Sequence, residues 1–322
     1  MISNKNNKNY YIIYFIVLIV FICILILVIL HKNNSSSNKP DTSISITFPD
    51  LGPIKNLCPS FLNIKPTVPT DIQKIEDLSQ LSEVNLSGFL LTNYLVSAWS
   101  GKCINAPPDL DNFKLVNSYK GYDTAGKTYR NIACFYYSES LKMAIMSFTG
   151  TMYYSELGDD FDFTQGIPTV ITTDPSIMVE NKHYKIYESL YLQFQNDIKN
   201  LPSETTLIVT GHSLGGSLSG ICYLDLILNL SKITNNKIYK ALYTFGAPRV
   251  GNVNFANIIN TDPNTFRITN TEDIIPYLPF PLFKDKLYEH FDGKEIAFSM
   301  NLGSYGENHI DAYTMKFLTP PV

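Results

Sequence analysis

Hydrophobic positions follow three different rhythms along this 322-residue chain. The first is an unbroken apolar run at residues 10–30, YYIIYFIVLIVFICILILVIL, without a charge, Gly or Pro. As a helix it spans about 31 Å, against a bilayer hydrocarbon core of about 30 Å. Residues 33–57 then lose apolar character, are rich in Asn, Ser and Pro, and read as flexible stalk. From about residue 70, β-rich runs of period 2 alternate with helical patterns of period 3.6. NIACFYY (131–137), KMAIMSFTG (142–150), TTLIVT (205–210), KALYTFGAP (240–248) and TFRITNTED (265–273) read as strands. Apolar residues at spacings of three and four from Tyr184 to Leu201 predict an amphipathic helix, and Leu214 to Leu230 a buried one. Residues 71–100 suggest one or two more helices. Such alternation predicts an α/β architecture with a mostly parallel sheet, whose functional loops follow the carboxyl ends of strands.

The amino-terminal run is too long for the roughly 7–15 apolar residues of a cleaved signal peptide. His31 and Lys32 follow it directly, with no small-residue cleavage pattern nearby. An uncleaved transmembrane signal anchor is therefore expected at 10–30, after a tail at 1–9. A stalk at 31–69 and a globular domain at 70–322 follow. A removed signal peptide, and hence secretion, is the alternative. Lys5 and Lys8 before the run and Lys32 and Lys39 after it leave the positive-inside count almost balanced. N-x-S/T sequons at Asn33, Asn34, Asn85 and Asn229 fit a glycoprotein whose domain is lumenal or extracellular.

A net charge of −4 without a basic cluster argues against nucleic acid as a partner. Cys23 lies in the apolar run and Cys222 in a predicted core helix, so both read as packing residues. Cys58, Cys103 and Cys134 leave room for one disulfide, its pairing open. No C-x-x-C or H-x-x-x-H spacing suggests a metal, and no cofactor is expected.

Chemistry concentrates at TGHSLGG, residues 210–216, where a predicted strand runs straight into a predicted helix. Gly211-His212-Ser213-Leu214-Gly215 has the G-x-S-x-G spacing of a nucleophile elbow. Side chains two residues before and after the Ser would collide with neighbouring backbone, and glycine removes them. The turn exposes the Ser hydroxyl and sets a helix N-terminus, with its free N–H groups, behind the reacting centre.

With that elbow in place, the chain resembles the class 3, fungal-type lipase family of α/β-hydrolases. VTGHSLGGSLSGICYLDL (209–226) resembles the family's elbow and helix, and YTFGAPRVGN (243–252) its next strand and loop. FRITNTEDIIPYLP (266–279) resembles the acid-bearing segment, and MSFTGT (146–151) the oxyanion strand, with Thr149 where the family usually has Arg. The match covers roughly residues 85–315, its blocks in the family's order. It implies an α/β-hydrolase fold and a catalytic triad in the order Ser, acid, His. The family's D-I-(V/I)-P pattern selects Asp273 as acid over Asp262 and Asp285. His309, with Tyr313 four residues on, matches the family's base; His31, His183, His212 and His290 are the rivals. The resemblance implies an oxyanion hole from Leu214 and Thr151, and a lid bearing Met152, Tyr153, Tyr154 and Leu157. It implies a membrane-anchored serine lipase or esterase acting on lipid esters through an acyl-enzyme at Ser213. An inactive scaffold, an acyl transferase and a feruloyl-type esterase are the alternatives.

The apolar run generates the first prediction. Its Ile, Leu, Val and Phe residues each favour the bilayer centre by about 0.3–0.6 kcal/mol. The protein should remain in the membrane pellet through alkaline carbonate and leave with detergent. Recovery in the carbonate supernatant, trimmed near residue 31, would show a cleaved signal instead.

Overall fold

The structure is a computed structural model that describes residues 90, 112–123, 127–150, 163–283 and 286–318. The expected anchor at 10–30, the stalk at 31–69, the sequons at Asn33, Asn34 and Asn85, and Cys58 and Cys103 lie outside the described residues.

Seven strands form the main sheet, each beside the next in chain order. They are β1 (Lys114–Asp123), β2 (Thr128–Ser138), β3 (Met143–Phe148), β4 (Thr205–His212), β5 (Ile238–Phe245), β6 (Thr265–Asn270) and β7 (Lys294–Phe298). β1–β2 and β2–β3 pair antiparallel, and every pair from β3 to β7 is parallel. All positions of β3 and β4 are buried, as expected of central parallel strands covered on both faces. Leu207 and Val209 pack into one core while Ile208 between them packs into the other, following the period of 2.

The first core lies against α1 (Asn181–Lys199) and α2 (Leu214–Ile233), with Ile186, Tyr187, Leu190, Phe194, Leu218 and Ile221 fully buried. The short helices are α3 (Val253–Ile259), α4 (Tyr305–His309) and α5 (Asp311–Leu318). On the second face α5 brings Tyr313 and Phe317 against Phe245, Phe266 and Phe298. Capping sets the helix starts: Glu180 accepts the His183 N–H at 2.7 Å for α1, and Asn252 that of Phe255 at 3.1 Å for α3. α2 has no side-chain cap, because its cap position is Ser213.

Among the described residues α2 is the helix long and apolar enough to cross a membrane, yet it is the central core helix, buried along most of its length. It carries a polar network at its inner face. Asp225 accepts from the Tyr187 hydroxyl at 2.9 Å and from Asn229 Nδ2 at 2.7 Å. Burial pushes the Asp225 carboxyl up, and these two donors hold against that rise. Asn229 Nδ2 also donates to the Ile171 carbonyl at 3.0 Å, and Asn229 Oδ1 accepts from Lys232 Nζ at 2.7 Å. This corrects one expectation from the sequence. The Asn229 sequon is buried within α2 and its amide is engaged on both sides, so it offers no glycan acceptor in the folded chain. Cys222 is buried in the same helix, its thiol pushed well above the ordinary value by desolvation. Cys134 is buried in the second core.

Asn229→Ala should cost on the order of 2–3 kcal/mol, because it strands the Asp225 and Ile171 oxygens in the interior. Denaturant unfolding measures that loss. Mass spectrometry of the protein expressed through a secretory pathway should find position 229 unmodified; a glycan there would contradict the buried placement.

Candidate active site

Ser213 joins β4 to α2 at φ 58°, ψ −126°, a backbone state that costs a non-glycine residue about 1–3 kcal/mol. Its N–H donates to the Phe245 carbonyl at 2.9 Å, and its own carbonyl accepts the Gly216 N–H at 2.9 Å, so the strained turn is held at both ends. Glycine is required on either side. A Cβ on Gly211 would lie 2.0 Å from the Gly215 carbonyl oxygen, and one on Gly215 would lie 2.2 Å from the Phe148 oxygen. The second contact seats the first turn of α2 on the carboxyl end of β3, where Thr149 and Gly150 follow. Leu214, the first residue of α2, therefore places its backbone N–H at the elbow beside that strand end. Ser213 is 4% exposed.

Asp273 follows β6 and is fully buried. Its Oδ1 accepts the Ile275 N–H at 2.9 Å. Its Oδ2 accepts from His309 Nδ1 at 2.7 Å and from the Tyr313 hydroxyl at 2.8 Å. That hydroxyl also accepts the Asn270 N–H at 3.0 Å, which ties α5 to the end of β6. There is room for the pair because residue 246 is glycine at φ 54°; a Cβ there would lie 2.9 Å from both Asp273 Oδ2 and the Tyr313 oxygen.

His309 ends α4 and is 3% exposed. The adjoining Asn308 fastens this turn to the acid loop: its carbonyl accepts from Asn270 Nδ2 at 3.0 Å, and its own Nδ2 donates to the Glu272 carbonyl at 3.3 Å. The Asp273 carboxylate can only accept from Nδ1, so the opposite nitrogen is the acceptor of a neutral ring. That Nε2 is buried and takes no hydrogen bond among the described residues. His212, the residue before Ser213, donates from Nε2 to the His309 carbonyl at 2.7 Å. The structure thus brings His309 against the elbow residue on one side and Asp273 on the other.

The rivals are placed elsewhere. His290 Nε2 donates to the Pro276 carbonyl at 2.6 Å, and burial, with the Arg267 and Arg249 charges behind it, pushes its imidazole down to about 3. His183 is buried in the first turn of α1, 3.7 Å from the Glu180 carboxylate. Asp262 pairs with Lys240 at 2.6 Å. Thr151, the lid residues Met152, Tyr153, Tyr154 and Leu157, and Asp285 lie outside the described residues. Among the described residues no group of three or more His, Cys, Asp or Glu side chains could hold a metal ion. Two contacts went unread in the sequence, that of Asn270 with the acid loop and that of His212, weighed there only as a rival base. Asn270 carries no motif signal, and His212 lies inside the elbow motif, where only the spacing of Gly and Ser draws attention.

A family model described as lipase (class 3) matches residues 145–283, which hold the elbow and Asp273. Over that stretch, somewhat under half of the chain, the protein is similar to class 3 lipases. A Rhizomucor miehei lipase is 27% identical to this protein over 211 residues, 64% of this chain and 54% of that protein. Phospholipase A1-IIalpha of Arabidopsis thaliana is 28% identical over 168 residues, 44% of this chain and 40% of that protein. The chain thus spans about half, or less, of the length of these curated relatives. A solved triacylglycerol lipase, whose catalytic centre is described as a serine protease triad, superposes with a TM-score of 0.53 at 24% identity. That match covers 67% of this chain and 81% of the solved one. A Yarrowia lipolytica lipase gives 0.53 at 19% identity, over 66% and 78% of the two chains. These likenesses show the α/β-hydrolase fold.

His290 gives a pH prediction. Its pKa is about 3 folded, below the roughly 6.5 of an unfolded chain, so the unfolded state binds the proton first as pH falls. The stability gained from keeping it neutral is present above pH 6.5 and drains away between about 6.5 and 3. Between pH 7 and pH 4 the native protein should lose on the order of 1–3 kcal/mol more than His290→Gln. Parallel losses in urea unfolding would refute the assignment.

Proposed function

We propose that the protein is a serine ester hydrolase acting on lipid, with Ser213 as nucleophile, His309 as general base and Asp273 as the acid. One observation carries this reading: a buried His309–Asp273 pair, tied to the elbow residue beside Ser213, with the outer imidazole nitrogen unengaged among the described residues. His309 Nε2 takes the Ser213 proton as Oγ attacks the ester carbonyl, then returns it to the departing alcohol. Asp273 holds the tautomer and stabilises the imidazolium. Its second donor, Tyr313, keeps the carboxylate fixed while the charge on His309 changes. The oxyanion is received by the Leu214 N–H at the start of α2, together with Thr151, and each donor is worth about 3–4 kcal/mol in such sites. Water then attacks the acyl-enzyme, with His309 again taking the proton.

Lipid as substrate is supported by the curated relatives, named as a lipase and a phospholipase A1. It is supported further by the apolar run at 10–30, which would tether the domain beside acyl chains with the catalytic part lumenal or extracellular. We include in this proposal a lid over the site, whose apolar face would come from Met152, Tyr153, Tyr154 and Leu157.

Ser213→Ala and His309→Ala should each lower kcat on a soluble p-nitrophenyl ester by roughly 10⁴–10⁶-fold, because triad members act as a unit. His290→Ala should keep most activity. More than a tenth of native activity in Ser213→Ala would sink the assignment. Turnover of phospholipid and of glyceride vesicles by the full chain decides the lipid class.

A further inference from the structure

His212 is set apart by where its side chain goes. A residue preceding a nucleophile at the end of a central strand could face either core; this one turns to the second face and meets His309. The two rings lie 4.5 Å apart between centroids and 33° from parallel, and His212 is almost fully buried. Its Nε2 lies 2.7 Å from the His309 carbonyl oxygen. A carbonyl can only accept, so this nitrogen carries a proton. The Tyr313 ring closes the third side at 66° to His212, with ring centroids 5.6 Å apart, and the Tyr313 hydroxyl reaches Asp273. His212, His309, Asp273 and Tyr313 therefore form a closed ring of contacts about the imidazole.

We infer that His212 is a positioning residue for the hydrolytic reaction: it fixes the main chain of His309 so that one imidazole serves both Asp273 and Ser213. The inference rests on the reading of His309 as the base. His309 ends the five-residue helix α4 and lies 96 positions from the nucleophile, on a turn whose own hydrogen bonds run to Asn270 and Glu272. Those contacts tie the turn to the acid. The His212 bond ties it to the elbow, and does so from the residue covalently joined to Ser213. Displacement of the base from the nucleophile is thereby opposed directly. The His212 ring also lies close to parallel with the imidazolium that forms during attack. A second charged imidazole at that distance would oppose the same step, so the neutral form is the productive one.

The test compares His212→Phe, which keeps a ring and loses the donor, with His212→Gln, whose terminal amide reaches the position of Nε2. The full chain in detergent micelles is assayed on p-nitrophenyl butyrate, with active sites counted by fluorophosphonate labelling. His212→Phe should lower kcat by about 10–100-fold per active site with KM little changed, the scale of a base displaced by about 1 Å. His212→Gln should recover most of that loss. A role in folding alone would lower the melting temperature and the labelled fraction, and leave kcat per labelled site unchanged. Should the Phe variant not fold, His212→Met, of similar length without a donor, replaces it in the comparison. Native kcat in the donorless variant, or no rescue by Gln, would overturn the inference. If His309→Ala itself stays active, the reading of the base falls; if it is inert while His212→Phe is unimpaired, only the positioning role falls.

Discussion

The buried carboxylate of Asp273 is the group around which the carboxyl end of the sheet is organised. An isolated charge there would carry a desolvation cost of several kcal/mol, so its neighbours must answer it. Three donors do: the Ile275 N–H from its own loop, the Tyr313 hydroxyl from α5 and His309 Nδ1 from the end of α4. Two of the three come from elements that follow the acid by 36 and 40 residues. Their arrival requires β7 and the loop after it to fold back across β6. Asn270 secures that return, with its side chain bonded to the Met300 backbone and to the Asn308 carbonyl. Gly246 leaves the space into which Asp273 and Tyr313 fit. Neutralising one charge thus specifies the position of the last two helices.

The elbow works by a different constraint, close approach of backbones. α2 must come near the end of β3 for its first N–H groups to face the strand end, and any side chain at 211 or 215 would prevent it. The same approach puts Ser213 in a conformation that a free chain avoids. Bonds to Phe245 and Gly216 and the burial of nearly the whole of α2 offset that strain. His212 joins the two constraints, because it belongs to the elbow and bonds to the residue that pairs with the acid.

Local patterns were legible where local physics decides them. The apolar runs 205–210 and 214–230 are core strand and core helix because both of their faces are covered, which a continuous run announces. The G-x-S-x-G spacing reads as a tight strand-to-helix turn because the clash avoided at Gly211 is with Gly215, four positions on, whereas the clash avoided at Gly215 is with Phe148 on a distant strand. Asn229 shows the opposite case. Its sequon is a statement about three adjacent residues, but its fate was settled by Tyr187, Asp225 and Ile171, which bury and occupy it.

The chain's order of strands and helices, its two-faced core and the position of the elbow are written in its sequence, since each follows from hydrophobic period and from glycine at short range. The family resemblance singled out His309, and the tertiary structure supplied the physical reason that it, and not His290, meets Asp273. His290 and His309 both follow the acid within 40 residues, in segments of similar polarity. One turns its ring to Pro276 and is held neutral by burial; the other turns to Asp273, and its far nitrogen takes no hydrogen bond among the described residues. Hydrophobic period and polarity by themselves do not separate the two. The difference is made by contacts across the sheet, among residues 212, 270, 273, 308 and 313, which become neighbours only when the strands are in register.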